Sequence, residues 1–305
     1  MSNMVINTNV LALNSHRAMK NVGAAQAQAS ARLSSGLKIN TAADDAAGLA
    51  ISEKMRAQIR GLDMASKNAQ DGSSMVQTAE GGMQQITSML QRTRELTVQA
   101  SNDTNDAGDR AKIAGEIAQL FDEIDSMANR VEFNGKKLIN GSFSGASNKV
   151  YLQVGANATQ SIKFNIGGVT MSALTGVASG LADLSNAVLN SGTVNSATAI
   201  GFFTSAGSAM TGTDINSLLS GIDQAISLVT DERAKLGAVQ NRLDYTMKSL
   251  DISSENLSAS ESRIRDADMA KEMMKLTKTN VLSQAATSML AQANQQPQNV
   301  LQIIR

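Results

Sequence analysis

The sequence predicts a mainly α protein: terminal helices paired as a coiled coil, plus a long antiparallel helix bundle with a small β-hairpin region. Pro297 is the only proline, so almost nothing in the backbone chemistry interrupts long helices. Both ends carry helical hydrophobic repeats that each need an apolar partner, and the polar, small-residue material lies between them. Aromatic residues make up 3% of the chain, and much of the 42% apolar content is Ala and Met. That composition favours thin layers of helix on helix over a deep core. A chain whose ends pair in space is expected to form a rod, an architecture suited to assembly.

The N-terminal segment carries a seam of small residues, Ala18, Val22, Ala25 and Ala29. Leu282, Ala286, Met289 and Ala293 form the matching row near the C-terminus. Small seam residues let helix axes approach closely, but they bury little area at about 25 cal/mol per Å². Both ends are therefore expected to be disordered in the isolated chain and to fold on assembly.

Between the ends, apolar rows step by four and three. Val76, Ala79, Met83, Ile86 and Leu90 form one, continuing through Thr93 and Thr97 with Leu96 alongside. Ile113, Ile117, Leu120, Ile124, Met127 and Val131 form the next. The polar run Asn102 to Asp109 separates them and predicts an antiparallel pair. The longest row starts at Ile222 and passes through Ile226, Val229, Arg233, Leu236, Gln240, Leu243, Met247, Leu250, Ser254, Leu257 and Glu261 to Ile264, mostly apolar with scattered polar exceptions. A helix over that span is about 60 Å long, and its stripe needs a partner.

Asn134-Gly135 is a strong tight-turn signal. Val150, Leu152 and Val154, then Ile162, Phe164 and Ile166, alternate with polar residues at strand period. A small β-region is expected to cap the bundle there. From 172 to 213 the chain is rich in Ser, Thr, Ala, Gly and Asn, which reads as a short surface insertion.

Composition excludes several functions. Lys plus Arg balance Asp plus Glu at 27 each, unlike a nucleic-acid binder. The absence of cysteine removes disulfides, thiolate catalysis and Cys-based metal sites. His16 is the only histidine and has no co-ligand, so neither a metal nor any other cofactor is expected. No phosphate-binding glycine loop is present, and the chain is read as not an enzyme. The N-terminus has no basic region before an apolar run and is not read as a secretory signal. No run of 18 apolar residues occurs, so no membrane insertion is expected. Asp44-Asp45 precede Ala46-Ala47-Gly48 and are read as capping and polarising a helix start.

The run Leu33-Ser34-Ser35-Gly36-Leu37-Lys38-Ile39-Asn40, with Thr41-Ala42-Ala43-Asp44-Asp45-Ala46-Ala47-Gly48-Leu49-Ala50-Ile51 after it, resembles bacterial flagellin. Phe133-Asn134-Gly135, Ser262-Arg263-Ile264-Arg265-Asp266-Ala267-Asp268-Met269-Ala270 and Val300-Leu301-Gln302-Ile303-Ile304-Arg305 match in order and spacing. Ile303-Ile304 stand where family members commonly have two leucines.

The resemblance implies an extracellular structural subunit of the flagellar filament, of near-minimal form, exported unfolded by the flagellar type III route. It implies an inner coiled-coil domain from 1–44 and 265–305, a rod-like domain from 45–171 and 214–264, and the insertion 172–213. Implied partners are other flagellin subunits in a helical homopolymer, an export chaperone, and cap and hook-junction proteins. A hook–filament junction protein would share the terminal regions, but the density of motif agreement sides with flagellin. The resemblance further implies recognition of the free monomer by Toll-like receptor 5 through Gln91, Arg92, Leu96 and Glu116, with Thr93 replacing a usually apolar neighbour. The seam residues named above would then be polymerisation contacts.

Overall fold

The computed structural model describes residues 9–145, 148–171, 173–174 and 212–303. Five helices dominate: α1 (Val10–Ser35), α2 (Ala46–Ala100), α3 (Ala107–Arg130), α4 (Gly212–Arg265) and α5 (Met269–Ile303). Among the described residues between α3 and α4 lie four short strands: β1 (Glu132–Phe133), β2 (Lys136–Lys137), β3 (Val150–Gln153) and β4 (Ser161–Phe164). The expected surface insertion 172–213 falls almost wholly outside the described residues. The chain divides into two compact units, one taking the residues up to Arg60 with Ser254 onward, the other Gly61–Ser253. These limits fall inside α2 and α4. The backbone breaks lie instead between α1 and α2 and between α4 and α5, next to the expected domain limits at 44 and 265.

The second unit holds the hydrophobic core. Helix α3 runs antiparallel to α2, with Arg92 meeting Glu116 at 3.0 Å. A side chain on Gly82 would meet Val131 farther along the same pair. Helix α4 is antiparallel to α2 as well, since Arg94 pairs with Asp223 and Ser66 with Asp251. Every member of the row from Val76 to Leu90 is buried, as are Thr93 and Thr97. The threonines fit because their hydroxyls donate back along the helix, Thr93 to the Met89 carbonyl and Thr97 to that of Thr93. The α4 row from Ile222 alternates buried with half-buried residues as far as Leu250, then remains half-buried to Ile264.

The β-region follows its turn chemistry. Asn134 at φ 50° and Gly135 at φ 72° close β1 onto β2, the double positive φ that a two-residue hairpin turn requires. Strand β3 pairs antiparallel with β4, Val150 opposite Phe164 and Leu152 opposite Ile162. Val154, Ile162, Phe164 and Ile166 are buried in the core shared with the three helices. At Gly168 the chain passes Gly141 so closely that an added Cβ would lie 2.6 Å from the Gly141 Cα. Only glycine fits there.

Candidate assembly surface

The terminal unit holds a thin pair of helices, α1 and α5, together with the first part of α2 and the last part of α4. Helices α1 and α5 pair antiparallel: Asn9 donates to the Ala293 carbonyl at 2.7 Å, Gln26 to Asn280 at 2.8 Å, and Arg32 faces Glu272 at 3.5 Å. The row of α5 that is buried or half-buried runs Glu272, Leu276, Thr279, Ser283, Ala286, Leu290 and Ala293, a four-three repeat along one face. On α1 the corresponding row is Ala12, Ser15, Met19, Val22, Ala25 and Ala29.

The structure therefore re-registers part of the expected seam. Ala29 and Ala293 are buried, and Val22, Ala25 and Ala286 are half-buried. Ala18, Leu282 and Met289 are exposed, with Met19, Ser283 and Leu290 in the inward positions next to them. Sequence periodicity could not separate the two apolar faces of α5, because the outward stripe has Leu282 and Met289 while the inward row itself contains Thr279 and Ser283.

Among the described apolar residues of this unit, only Ala29, Ile39 and Ala293 are buried. Large apolar side chains stand in the open instead: Val10, Leu11 and Leu13 on α1, and Met274, Val281, Leu282 and Met289 on a second stripe of α5. Met274 is 67% exposed and Met289 61%. A helix with apolar stripes on two faces needs a neighbour against each. One antiparallel neighbour covers a single face.

Where the helices break, main-chain bonds join the two strands of chain. Lys38 N–H donates to the Arg265 carbonyl at 2.6 Å and Ala267 N–H to the Gly36 carbonyl at 2.9 Å, with Leu37 bridged to Asp266. Gly36 closes α1 in the left-handed region at φ 72°. Charged groups surround this joint: Arg56 with Glu261 at 2.8 Å, Arg265 with Glu53, and Arg32 with Asp44 at 3.3 Å. The bond from Arg265 holds the Glu53 carboxyl below its usual range.

Of the two aspartates read as caps, only Asp45 serves α2, its Oδ1 accepting from Gly48 N–H at 2.9 Å. Asp44 turns back instead. Its Oδ1 accepts from Gln28 at 3.0 Å and its Oδ2 from the Thr41 N–H and hydroxyl at 3.1 Å each. The Gln28 amide first, then the Thr41 N–H, hold its carboxyl far below the ordinary carboxylate range. The available sequence signal was Gln28 and Arg32, four apart on one helix face ahead of an acidic turn.

In the other unit, Gln91, Arg92 and Glu116 share an exposed face. The Arg92 guanidinium donates to Glu116 at 3.0 and 3.1 Å and to Glu95 at 3.2 Å, which pushes its pKa up, Glu116 first. Leu96 is not on this face; it is 2% exposed and belongs to the core. Among the described residues, no cluster of three or more His, Cys, Asp or Glu is placed to hold a metal ion. No helix among them is long and apolar enough to cross a membrane.

Paired terminal helices with unpartnered apolar stripes, in a chain whose other unit has a core of its own, define a structural protein of the self-associating kind. Residues 6–144 match the model of the bacterial flagellin N-terminal helical region, and residues 219–304 that of the C-terminal helical region. The chain is 53% identical over 313 residues to a flagellin of Bacillus subtilis strain 168, covering 99% of this chain and 100% of that one. It is 48% identical to a flagellin of Halalkalibacterium halodurans and 42% identical to the flagellar filament 31.3 kDa core protein of Treponema maltophilum, with the same coverage. Its fold is similar to that of a putative flagellar hook-associated protein from Vibrio parahaemolyticus, with a TM-score of 0.58 and 13% identity, over 73% of this chain and 100% of that one. The chain belongs to the bacterial flagellin family, a family of structural proteins.

Proposed function

We propose that this chain is a structural subunit of the extracellular flagellar filament, polymerising through its terminal helices. The observation that carries the reading is the contrast between units: a full core in one, and in the other only three buried apolar side chains among the described residues, beside open apolar stripes. In a polymer, neighbouring copies cover those stripes, and contacts between different faces propagate as an open helix. The division at 44/45 and 264/265 then separates the polymerising inner domain from the rod-like domain. The inner domain's thin seam favours ordering of the ends on assembly. Deleting residues 1–40 or 270–305 should leave a soluble helical chain that forms no filaments under negative-stain microscopy. Filament formation by either deletion at the full-length rate would refute the reading.

Export by the flagellar type III route, with an export chaperone, cap and hook-junction proteins as partners, is part of the same proposal. The absence of cysteine supports it, because no disulfide opposes passage as an unfolded chain. Recognition of the monomer by Toll-like receptor 5 is assigned to the exposed face bearing Gln91, Arg92 and Glu116. Leu96 supports that face from within the core. Arg92→Ala should weaken receptor signalling and leave the helical spectrum unchanged, whereas undiminished signalling would remove the face from consideration.

A further inference from the structure

We infer that Asn9 and Pro297 together form a second lock on the axial register of the terminal helix pair, at the end farthest from the main-chain joint at Gly36–Lys38 and Arg265–Ala267. Helix α5 runs through Pro297 without interruption. Within a helix, each carbonyl accepts from the amide four residues on, and proline has no amide hydrogen to give. The carbonyl left without its partner is that of Ala293. Since Pro297 is the chain's only proline, no other carbonyl in the interior of α5 is vacated this way.

That carbonyl is the one Asn9 reaches, its Nδ2 donating at 2.7 Å. The other end of the same amide is also engaged, because Asn9 Oδ1 accepts from Ala12 N–H at 3.0 Å and caps α1. Donor and acceptor are thus committed in opposite directions: one fixes the side chain to the start of α1, the other fixes that start to one point on α5. An orphaned buried carbonyl is costly, and Ala293 is buried.

The seam itself discriminates registers poorly. One α5 row repeats small side chains every seven residues, Thr279, Ala286 and Ala293, while the other alternates Leu276, Ser283 and Leu290. Sliding α5 by one heptad keeps small residues against α1 along the first row. A single directional polar contact is the device by which paired helices of low packing specificity choose one alignment. Here the backbone supplies half of it, through the missing amide.

The test uses the cysteine-free full-length chain. Gln26→Cys with Asn280→Cys reports the observed register, since these side chains are hydrogen-bonded. Gln26→Cys with Thr287→Cys or with Met273→Cys reports a slip of one heptad either way. Products of a short bismaleimide are read in the polymer, or in the free chain should the protein not polymerise, so that failure of the filament reading is seen separately. Variants that do not polymerise are read as a minority in wild-type polymer.

Asn9→Asp keeps the capping oxygen and removes the donor, and Asn9→Ser keeps a capping oxygen without adding charge while its hydroxyl, one atom shorter, falls short of the Ala293 carbonyl. Either should raise the slipped-to-native ratio roughly 3- to 10-fold, the weight of one hydrogen bond to an otherwise unsatisfied carbonyl. In a Pro297→Ala background, the new amide satisfies the Ala293 carbonyl within the helix, and the Asn9 variants should no longer shift the ratio. An unchanged ratio in both backgrounds, or an equal shift in both, would overturn the lock.

Discussion

Serine at position 289 should impair polymerisation without affecting the fold of the single chain. Met289 is 61% exposed in the isolated molecule, so its removal takes little from the unassembled state. Complete burial of a methionine side chain contributes about 1.5–3 kcal/mol. The fraction still open to water therefore represents about 1–2 kcal/mol per subunit, gained only when a neighbour covers it. At about 1.4 kcal/mol per factor of ten, the critical concentration of Met289→Ser should rise roughly 5- to 30-fold.

Met83→Ala is the matched control. Met83 is fully buried in the core, so this truncation should cost about 2–5 kcal/mol of folding stability. Sedimentation of polymer across a concentration series gives the first quantity, and thermal unfolding of the unpolymerised chain gives the second. A Met289→Ser chain that polymerises at the wild-type critical concentration would show that this stripe stays in water. One that unfolds earlier as a monomer would show that Met289 already has partners within the chain. Either result refutes the reasoning.

Asp44 predicts a pH-dependent joint. Its carboxyl is more acidic folded than unfolded, so its stabilisation is complete above the unfolded range near about pH 4 and is lost as pH falls through the lower folded value. Hydrogen exchange at Asn40 and Thr41, corrected for intrinsic rates, should accelerate on acidification below that point. Asp44→Asn should exchange faster at neutral pH and show a flatter profile. Gly168→Ala places a Cβ against main chain at 2.6 Å and should lower the unfolding midpoint by an amount corresponding to about 1–3 kcal/mol. Gly237→Ala, in the interior of α4 with open space around it, should raise stability by about 0.5–1 kcal/mol; both are read by thermal denaturation. Removing the exposed Arg92–Glu116 pair by Glu116→Gln should change folding stability by no more than about 1 kcal/mol, measured by urea titration.

The bundle was legible in the sequence because its rows are unambiguous. Val76 to Leu90 and Ile113 to Val131 alternate apolar and polar at one period, and burial in the structure follows them. The hairpin was legible because Asn134-Gly135 satisfies a backbone requirement that few residue pairs meet. The terminal pair was legible only as a pairing. Leu282 and Met289 looked like seam residues because they are apolar at the right spacing, yet the inward row places Ser283 and Leu290 there. Where a helix has apolar residues on more than one side, its sequence encodes its eventual neighbours together, and a single chain shows only one of them.

Asp44 was misread for a different reason. A local reading pairs it with Asp45 at the helix start, but its partner Gln28 lies sixteen residues back on another helix. Asn9 poses the same difficulty over a longer range. As a cap it is visible from Ala12 alone, whereas its contact with Ala293 requires knowing that α5 continues through a proline.

The joint between the helix breaks has one more consequence. Its ties at Gly36, Lys38, Arg265 and Ala267 are made by peptide groups, so exchanging the side chains of Leu37 or Lys38 leaves them in place, and added salt acts only on the charges around them. What the stitching does count is residues. A single codon inserted on one side would pull the two threads out of step, so positions such as Leu37 and Lys38 can be repainted where the joint itself cannot be lengthened.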